Sequence, residues 1–500
     1  MNRPALHHPP QTPAACRPDG LLGTARHATG PARRRLRAAV GLLALAAALG
    51  GCATVRPDAG LAEVRQALRT HLGQELERSD TPARAEAAAQ RVDALLASPL
   101  SADDAVQVAL LNHRGLQAAL EQLGIAEAER VQALRLPNPG LALGRTRSGD
   151  ERETEWSLHL ALTRLLALPR RRVAEDARLR QVQDSVALQV LGHAEDTRKA
   201  WVQAVAAEET VRYARQVMDA AEAGAELARR MAAAGNFNKL QRAREQGFYA
   251  DAALNLARAQ QGQRAARERL TRLLGLWGAQ AAFQLPPRLP DLPPEPADLP
   301  DLERRAIAQR LDVQGALRAA DEAAQRLGLD RATRLAGGLE LGLAASRGSD
   351  GDRSRGWELG FELPLFDPGD ARVARAEAVH RQAMHRAAQV AVDARSEVRE
   401  AWNAQRTAWD IARHHREEIV PLRRQIAEEN LLRYNGMLIG VFELLADARA
   451  QIAAVHGALE ALRDFWLADA DLRMALIGKP HLGGGPAPSL TTPAADAAGH

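Results

Sequence analysis

Trp357-Glu358-Leu359-Gly360-Phe361-Glu362-Leu363-Pro364-Leu365 alternates large apolar residues with polar or small ones at every step. Period-two alternation marks a strand with one apolar and one polar face. The same pattern recurs in Leu158, Leu160 and Leu162, set between Ser157, His159, Ala161 and Thr163. It recurs again in Leu339, Leu341 and Leu343 among Glu340, Gly342 and Ala344, and Leu141 with Leu143 opens a fourth such segment. About ten residues is the length that a membrane barrel strand needs. Polar stretches from Arg145 to Glu155 and from Ser346 to Arg355 are expected to be exposed loops. Trp156 and Trp357 fall at strand starts in this reading, where a membrane interface favours amphipathic rings. A soluble hairpin packed on a helix shows the same alternation. Four strands also cannot close a membrane barrel, which takes about eight. Either the hairpins are soluble, or several chains pool their strands.

The four segments belong to two copies of one unit. Gln117 and Leu120 match Gln314 and Leu317, and Leu141 and Gly144 match Leu339 and Gly342. Trp156, Leu158 and Leu162 match Trp357, Leu359 and Leu363, and Trp201 matches Trp402. With only 7 Trp in the chain, two matched pairs argue for a duplicated domain. Each copy opens with a helix, near 102–136 and 302–334, stopped by Pro137 and Pro139 in one and Gly337-Gly338 in the other. Two strands follow, then a helix of about 60 residues, 173–234 and 373–434, some 90 Å long at 1.5 Å per residue. Each long helix ends at a Gly expected to be left-handed, Gly235 before Asn236-Phe237 and Gly436 before Met437-Leu438. The chain then returns over 239–276 and 441–477.

Composition agrees with long helices: Ala, Leu, Arg, Glu and Gln dominate, and aromatic residues make up 3% of 500 residues. Residues 1–51 read as a lipoprotein signal peptide. Arg33, Arg34, Arg35 and Arg37 precede an apolar run from Ala38 to Leu49, too short to span a bilayer. The run ends in Leu49-Gly50-Gly51-Cys52, where the Cys52 thiol would take the lipid; a plain secretory signal with a chance Cys is the alternative. Removing this segment takes away 7 Arg and one Asp and leaves 59 basic and 61 acidic residues, which gives no support for nucleic-acid binding. Residues 52–99 are a helical leader, 100–283 the first repeat, 284–302 a Pro-rich linker, 303–478 the second repeat and 479–500 a tail expected to be disordered.

These features resemble the TolC-like outer-membrane factors. The likeness rests on the Cys52 box, the duplicated helix–strand–strand–helix order, the two tip turns, and Tyr434-Asn435-Gly436 followed by Glu443-Leu444-Leu445-Ala446-Asp447-Ala448. The resemblance implies a mainly α fold with membrane β. Three chains would each give four strands to one 12-stranded barrel, above a trimeric α-barrel of coiled-coil helices. It implies a passive outer-membrane channel in the cell outer membrane, lipid-anchored and partnered by a periplasmic adaptor and an inner-membrane pump. Gly235, Asn236, Phe237, Gly436, Met437 and Leu438 would be the adaptor-docking tips.

Glu443 and Asp447, four apart on one helix face, are aperture candidates; a solvated face is the plainer reading. No Walker-type loop, zinc-spaced Cys/His cluster or activated nucleophile stands in the sequence, so no enzyme, metal or cofactor is expected. His414 and His415 are adjacent, and adjacent residues on a helix point apart. A pore-less periplasmic coiled-coil scaffold lipoprotein is one other class and a pump's adaptor a second, though no lipoyl-like segment with Gly-rich turns is seen; the cargo is not readable.

Overall fold

The chain divides into two units, Met1–Ala53 and Thr54–His500. The structure, a computed structural model, describes residues 54–56, 58–296, 301–334 and 338–480, all in the second unit. The signal peptide, Cys52 and the tail beyond Pro480 lie outside the described residues.

The leader forms α1 (Leu61–Leu72) and α2 (Pro82–Leu96). The first repeat comprises α3 (Ala102–Asn112), α4 (Arg114–Leu134), β1 (Gly140–Ser148), β2 (Glu151–Ala161), α5 (Leu162–Ala233) and α6 (Lys239–Leu274). The second comprises α7 (Leu302–Gln309), α8 (Leu311–Ala332), β3 (Glu340–Gly348), β4 (Arg353–Gly360), α9 (Asp370–His414), a π-helical turn (His415–Ile419), α10 (Val420–Asn435) and α11 (Val441–Ile477). The duplicated helix–strand–strand–helix order is thus present.

Its opening helices differ from expectation. Each is broken in two, at His113 in the first repeat and at Arg310 in the second, where the backbone turns extended with ψ of 113° and 126°. Apolar periodicity runs through both breaks, so it could not reveal them. The first long helix also starts earlier than 173. It runs 72 residues from Leu162, about 108 Å, with Pro169 inside it. Pro169 leaves the Leu165 carbonyl without its donor, but Leu165 lies on an exposed turn where water can serve.

The hairpins join into one antiparallel sheet of order β1-β2-β3-β4, with the inner pair β2–β3 taken from different repeats. The expected long polar loops are mostly strand. Arg145 pairs with Thr154 and Arg147 with Arg152 in the first hairpin; Ser346 pairs with Ser354 and Arg347 with Arg353 in the second. The ladder is made by backbone groups, which every residue brings, so polar side chains do not end it. Trp156 and Trp357 accordingly stand inside their strands, not at the starts. At the other end β4 stops at Gly360, short of Leu365. Opposite Phe361 its partner has run out: Glu340 begins β3, and Leu339 is held by Leu162 and Thr163.

The core is a belt around the middle of the long helices. Leu61, Val64 and Leu68 of α1 fill a groove against Val106, Leu120, Val190 and Leu191. Leu100, Trp201, Val205, Leu270 and Phe283 form a second cluster, and Leu292, Trp409 and Phe465 a third. The Pro-rich segment after α6 is strapped down. Trp409 Nε1 donates to the Pro293 carbonyl and Trp466 Nε1 to that of Pro290, each at 3.0 Å. Arg416 holds the Leu292 carbonyl at 3.0 Å, and Arg212 holds that of Pro287. Proline carbonyls keep their acceptors while the ring removes the N–H, so donors must come from side chains.

Candidate functional site

Both helical tips close by one device. At the first, the Asn236 N–H reaches the Met231 carbonyl at 2.9 Å and the Gly235 N–H that of Ala232 at 3.1 Å, with Gly235 left-handed at φ 79°. At the second, the Leu438 N–H reaches the Arg433 carbonyl and the Met437 N–H that of Tyr434, both at 2.9 Å. This is the paired closure of a Schellman turn. The left-handed residue there is Met437, at φ 59°, and not Gly436, which has φ −81°. The structural counterpart of Gly235 is therefore Met437. Gly436 completes the last helical turn instead.

Past the first tip, Asn238 and Gln241 form a reciprocal capping box that starts α6. Phe237 is buried, while Met437 and Leu438 are 93% and 77% exposed, so the second tip is the apolar one.

Of the aperture candidates, Glu443 is exposed and Asp447 half-buried. Asp447 accepts a hydrogen bond from Asn430 of α10, which ties the two arms of the second hairpin. Two residues further along α11 lies a cluster that sequence reasoning missed. Arg449 of α11 donates to Glu245 of α6 at 2.7 Å, and its guanidinium sits 4.5 Å from the Phe248 ring centre. Glu245 is only 3% exposed and Arg449 33%, so a half-buried ion pair joins the second repeat to the first just behind the tips. Spacing along one helix could not show it, because its members are 204 residues apart.

The sheet has one mostly apolar and one polar face, with Arg355 the charged residue in the apolar rows. Directly paired residues share a face, so Leu141, Leu158, Leu343 and Trp357 form one row, and Leu143, Trp156, Ala345 and Arg355 the next. Leu160, Leu341 and Leu359 extend the same face. Trp357 and Leu143 on it are 73% and 74% exposed. The opposite face carries Glu155, Ser157, His159, Ser346 and Glu358. Beyond the Trp rows the apolar face gives way to Arg145, Arg347 and Arg353. Such a face, 14 Å of strand between Leu160 and Trp156 at roughly 3.4 Å per residue, suits lipid better than water. Phe361, Leu363, Leu365 and Phe366 follow the end of β4, all exposed.

His414 pairs with Glu418 at 3.2 Å, while His415 packs on Gly457 of α11. Among the described residues no group of three His, Cys, Asp or Glu is placed to hold a metal ion, and no helix is long and apolar enough to cross a membrane.

The fold is that of the TolC-like outer-membrane channel proteins. The chain superposes on the outer membrane protein VceC from Vibrio cholerae with a TM-score of 0.64, at 16% identity, covering 76% of this chain and 96% of that one. It superposes on the outer-membrane channel OprN at 0.63 and 17% identity, covering 85% and 96%. Against the open MtrE outer membrane channel of Neisseria gonorrhoeae the values are 0.60 and 18%, covering 75% and 88%. In sequence it is 28% identical over 280 residues to the cobalt-zinc-cadmium resistance protein CzcC of Cupriavidus metallidurans, which is 54% of this chain and 64% of that protein. The match thus spans just under two thirds of that relative. No family model matches the chain.

Proposed function

We propose that this protein is the outer-membrane channel of a tripartite efflux system, a passive duct fed by an inner-membrane pump through a periplasmic adaptor. One observation carries the reading. A four-stranded sheet with one apolar face, one polar face and two unpaired edges stands on helices some 100 Å long, and a single chain cannot close it. Three copies, each pairing β4 with the next copy's β1, would enclose the polar face and turn the apolar one to lipid. The same pairing gives Phe361–Leu365 the missing partner strand. In this reading Trp156 and Trp357 seat the barrel at the outer interface, and Cys52 carries the lipid anchor. The turns at Gly235–Phe237 and Gly436–Leu438 meet the adaptor, and Glu443 and Asp447 ring the aperture. The name of the sequence relative makes divalent cobalt, zinc and cadmium the first cargo to test.

Native mass of the membrane-extracted protein in mild detergent tests the duct. A trimer of chains cut at Cys52 and carrying acyl mass is the expected result. A monomer without lipid would leave the sheet open and favour a pore-less periplasmic scaffold. Metal resistance of a deletion strain tests the cargo, and resistance unchanged from wild type would remove these ions.

A further inference from the structure

The two hinges that break the opening helices occupy the same position in the two repeats, 197 residues apart, the spacing that relates Gln117 to Gln314. At each, the hinge N–H closes the preceding helix, His113 on the Ala109 carbonyl at 3.0 Å and Arg310 on that of Ala306 at 2.9 Å. The side chains then do different chemistry. Arg310 is buried and permanently charged. It donates to Asp312 at 2.6 and 3.0 Å, to Glu397 at 2.7 Å and to the Ala475 carbonyl at 3.3 Å. Counting back by the repeat spacings, Gly115 stands for Asp312 and Asp196 for Glu397.

In place of that ion network the first repeat has a pair of histidines. The His113 ring lies on His193 with centroids 4.1 Å apart and planes tilted by 34°. His113 Nδ1 accepts from the Leu116 N–H at 3.3 Å, capping the first turn of α4 and sharing that donor with the His113 carbonyl at 3.1 Å. His193 Nε2 meets the Leu273 carbonyl at 2.9 Å. A carbonyl only accepts, so His193 carries its proton on Nε2; an accepting Nδ1 means that His113 does not carry one there. Burial holds both rings below the usual histidine range, and for His113 the neighbouring His193 adds to the effect.

The surroundings are set to receive a charge. One cleft is lined by His113, His193, Asp196 of α5, Asp312 of α8, Met474 of α11 and Lys479 just beyond it. The charged groups lining it are the Asp196 and Asp312 carboxylates and the Lys479 ammonium, with Asp312 also holding Arg310 and with Arg114 next to His113 turned to solvent. The end of α6 is wedged against the hinge: a Cβ on Gly275 would lie 3.0 Å from His113 Cα.

We propose that His113 and His193 form a proton-operated hinge, in which acidification charges His113, withdraws its cap from α4 and turns it toward the carboxylates in the cleft. The first repeat then acquires the charged hinge that the second carries at every pH. The device sits where α4 departs from the belt, so it links the wall of the molecule to the acidity of its compartment, and it does not depend on what the molecule conducts.

Hydrogen exchange of the intact protein in detergent tests this, near pH 7.5 and near pH 4.5, below the lowered histidine range, corrected for intrinsic rates. The Leu116 amide, left with the His113 carbonyl as its acceptor, is expected to lose roughly threefold in protection at the lower pH, and Gln117, which bonds to that carbonyl at 3.3 Å, to follow as the first turn frays. The matching amides Val313 and Gln314 of α8 should hold theirs. His113→Asn keeps a capping acceptor without a titrating ring, and its first turn should be equally protected at both pH values. His193→Gln removes the second ring and should raise the midpoint of the transition. A wild-type first turn indifferent to pH, or an equal loss in His113→Asn, would overturn the proposal; an unmoved midpoint in His193→Gln would remove His193 from it.

Discussion

Met437 holds a conformation that costs an L-residue on the order of 1 kcal/mol, because its Cβ crowds the carbonyl that follows. It is 93% exposed, so no packing compensates. Met437→Gly should therefore raise hydrogen-exchange protection over the last turn of α10 by roughly twofold, the strain relieved less the entropy that glycine loses. Protection that falls would mean that the side chain is held by something other than this chain.

Glu195 of α5 is a second strained residue. Burial raises its carboxyl from the usual range to about 7, against the pull of Arg198, Lys199 and Arg473, and among the described residues its Oε1 finds no hydrogen-bond partner. An acid whose folded pKa is raised keeps a proton that the unfolded chain has already released. Its penalty is absent below about pH 4.5 and grows as pH rises to about 7. Glu195→Gln should stabilise the protein above that range by on the order of 2 kcal/mol and leave it unchanged near pH 4. Thermal unfolding of both proteins across pH checks the difference. His113 and His193 act with the opposite sign, since lowered folded values mean that stability is lost as pH falls below the unfolded 6.5.

Among the elements, the Pro-rich segment departs most from what its composition suggests. Proline density excludes a helix, but it does not say where the freed carbonyls go. Trp409 and Trp466 supply two of the donors from α9 and α11. Trp409→Phe with Trp466→Phe keeps most of the apolar bulk and orphans both carbonyls, at about 1 kcal/mol each. A lowered unfolding temperature with unchanged helix content is the expected result; an unchanged temperature would mean that water replaces the indoles. The π-helical turn at His415–Ile419 sits just before Pro421, which cannot donate. A local widening there is one of the recognised ways in which a helix absorbs such a defect.

For the molecule as a whole, the ion pair of Arg449 and Glu245 is the contact best placed to keep the tips together. Glu245 is buried and Arg449 a third exposed, so removing the Arg strands one carboxylate that water partly reaches and costs about 1 to 2 kcal/mol. Arg449→Ala should accordingly raise single-channel conductance in a planar bilayer, and a charge-reversing change of Glu443 and Asp447 should alter cation selectivity. Conductance identical to wild type in the first variant would place the closure elsewhere. Unchanged selectivity in the second would take those two carboxylates out of the aperture.

The sequence alone determined the duplicated order of elements, the period-two segments and the long helices, because periodicity and rare matched residues are local and additive signals. α11 runs from Val441 to Ile477, as the pattern of residues alone indicates. The hinges at His113 and Arg310 were invisible, since apolar spacing continues across both. The strand ends were misplaced for a different reason: pairing depends on which backbone lies opposite, so Arg145–Glu155 joined a ladder and Phe361–Leu365 did not. The tip residue shifted from Gly436 to Met437, because helix length decides which residue reaches the turn and propensity only biases it. The pairs Arg449–Glu245 and His113–His193 lie 204 and 80 residues apart in the chain and meet only once the helices have packed. Tertiary structure decided them, since a contact across two helices depends on rotation and register that neither helix specifies by itself.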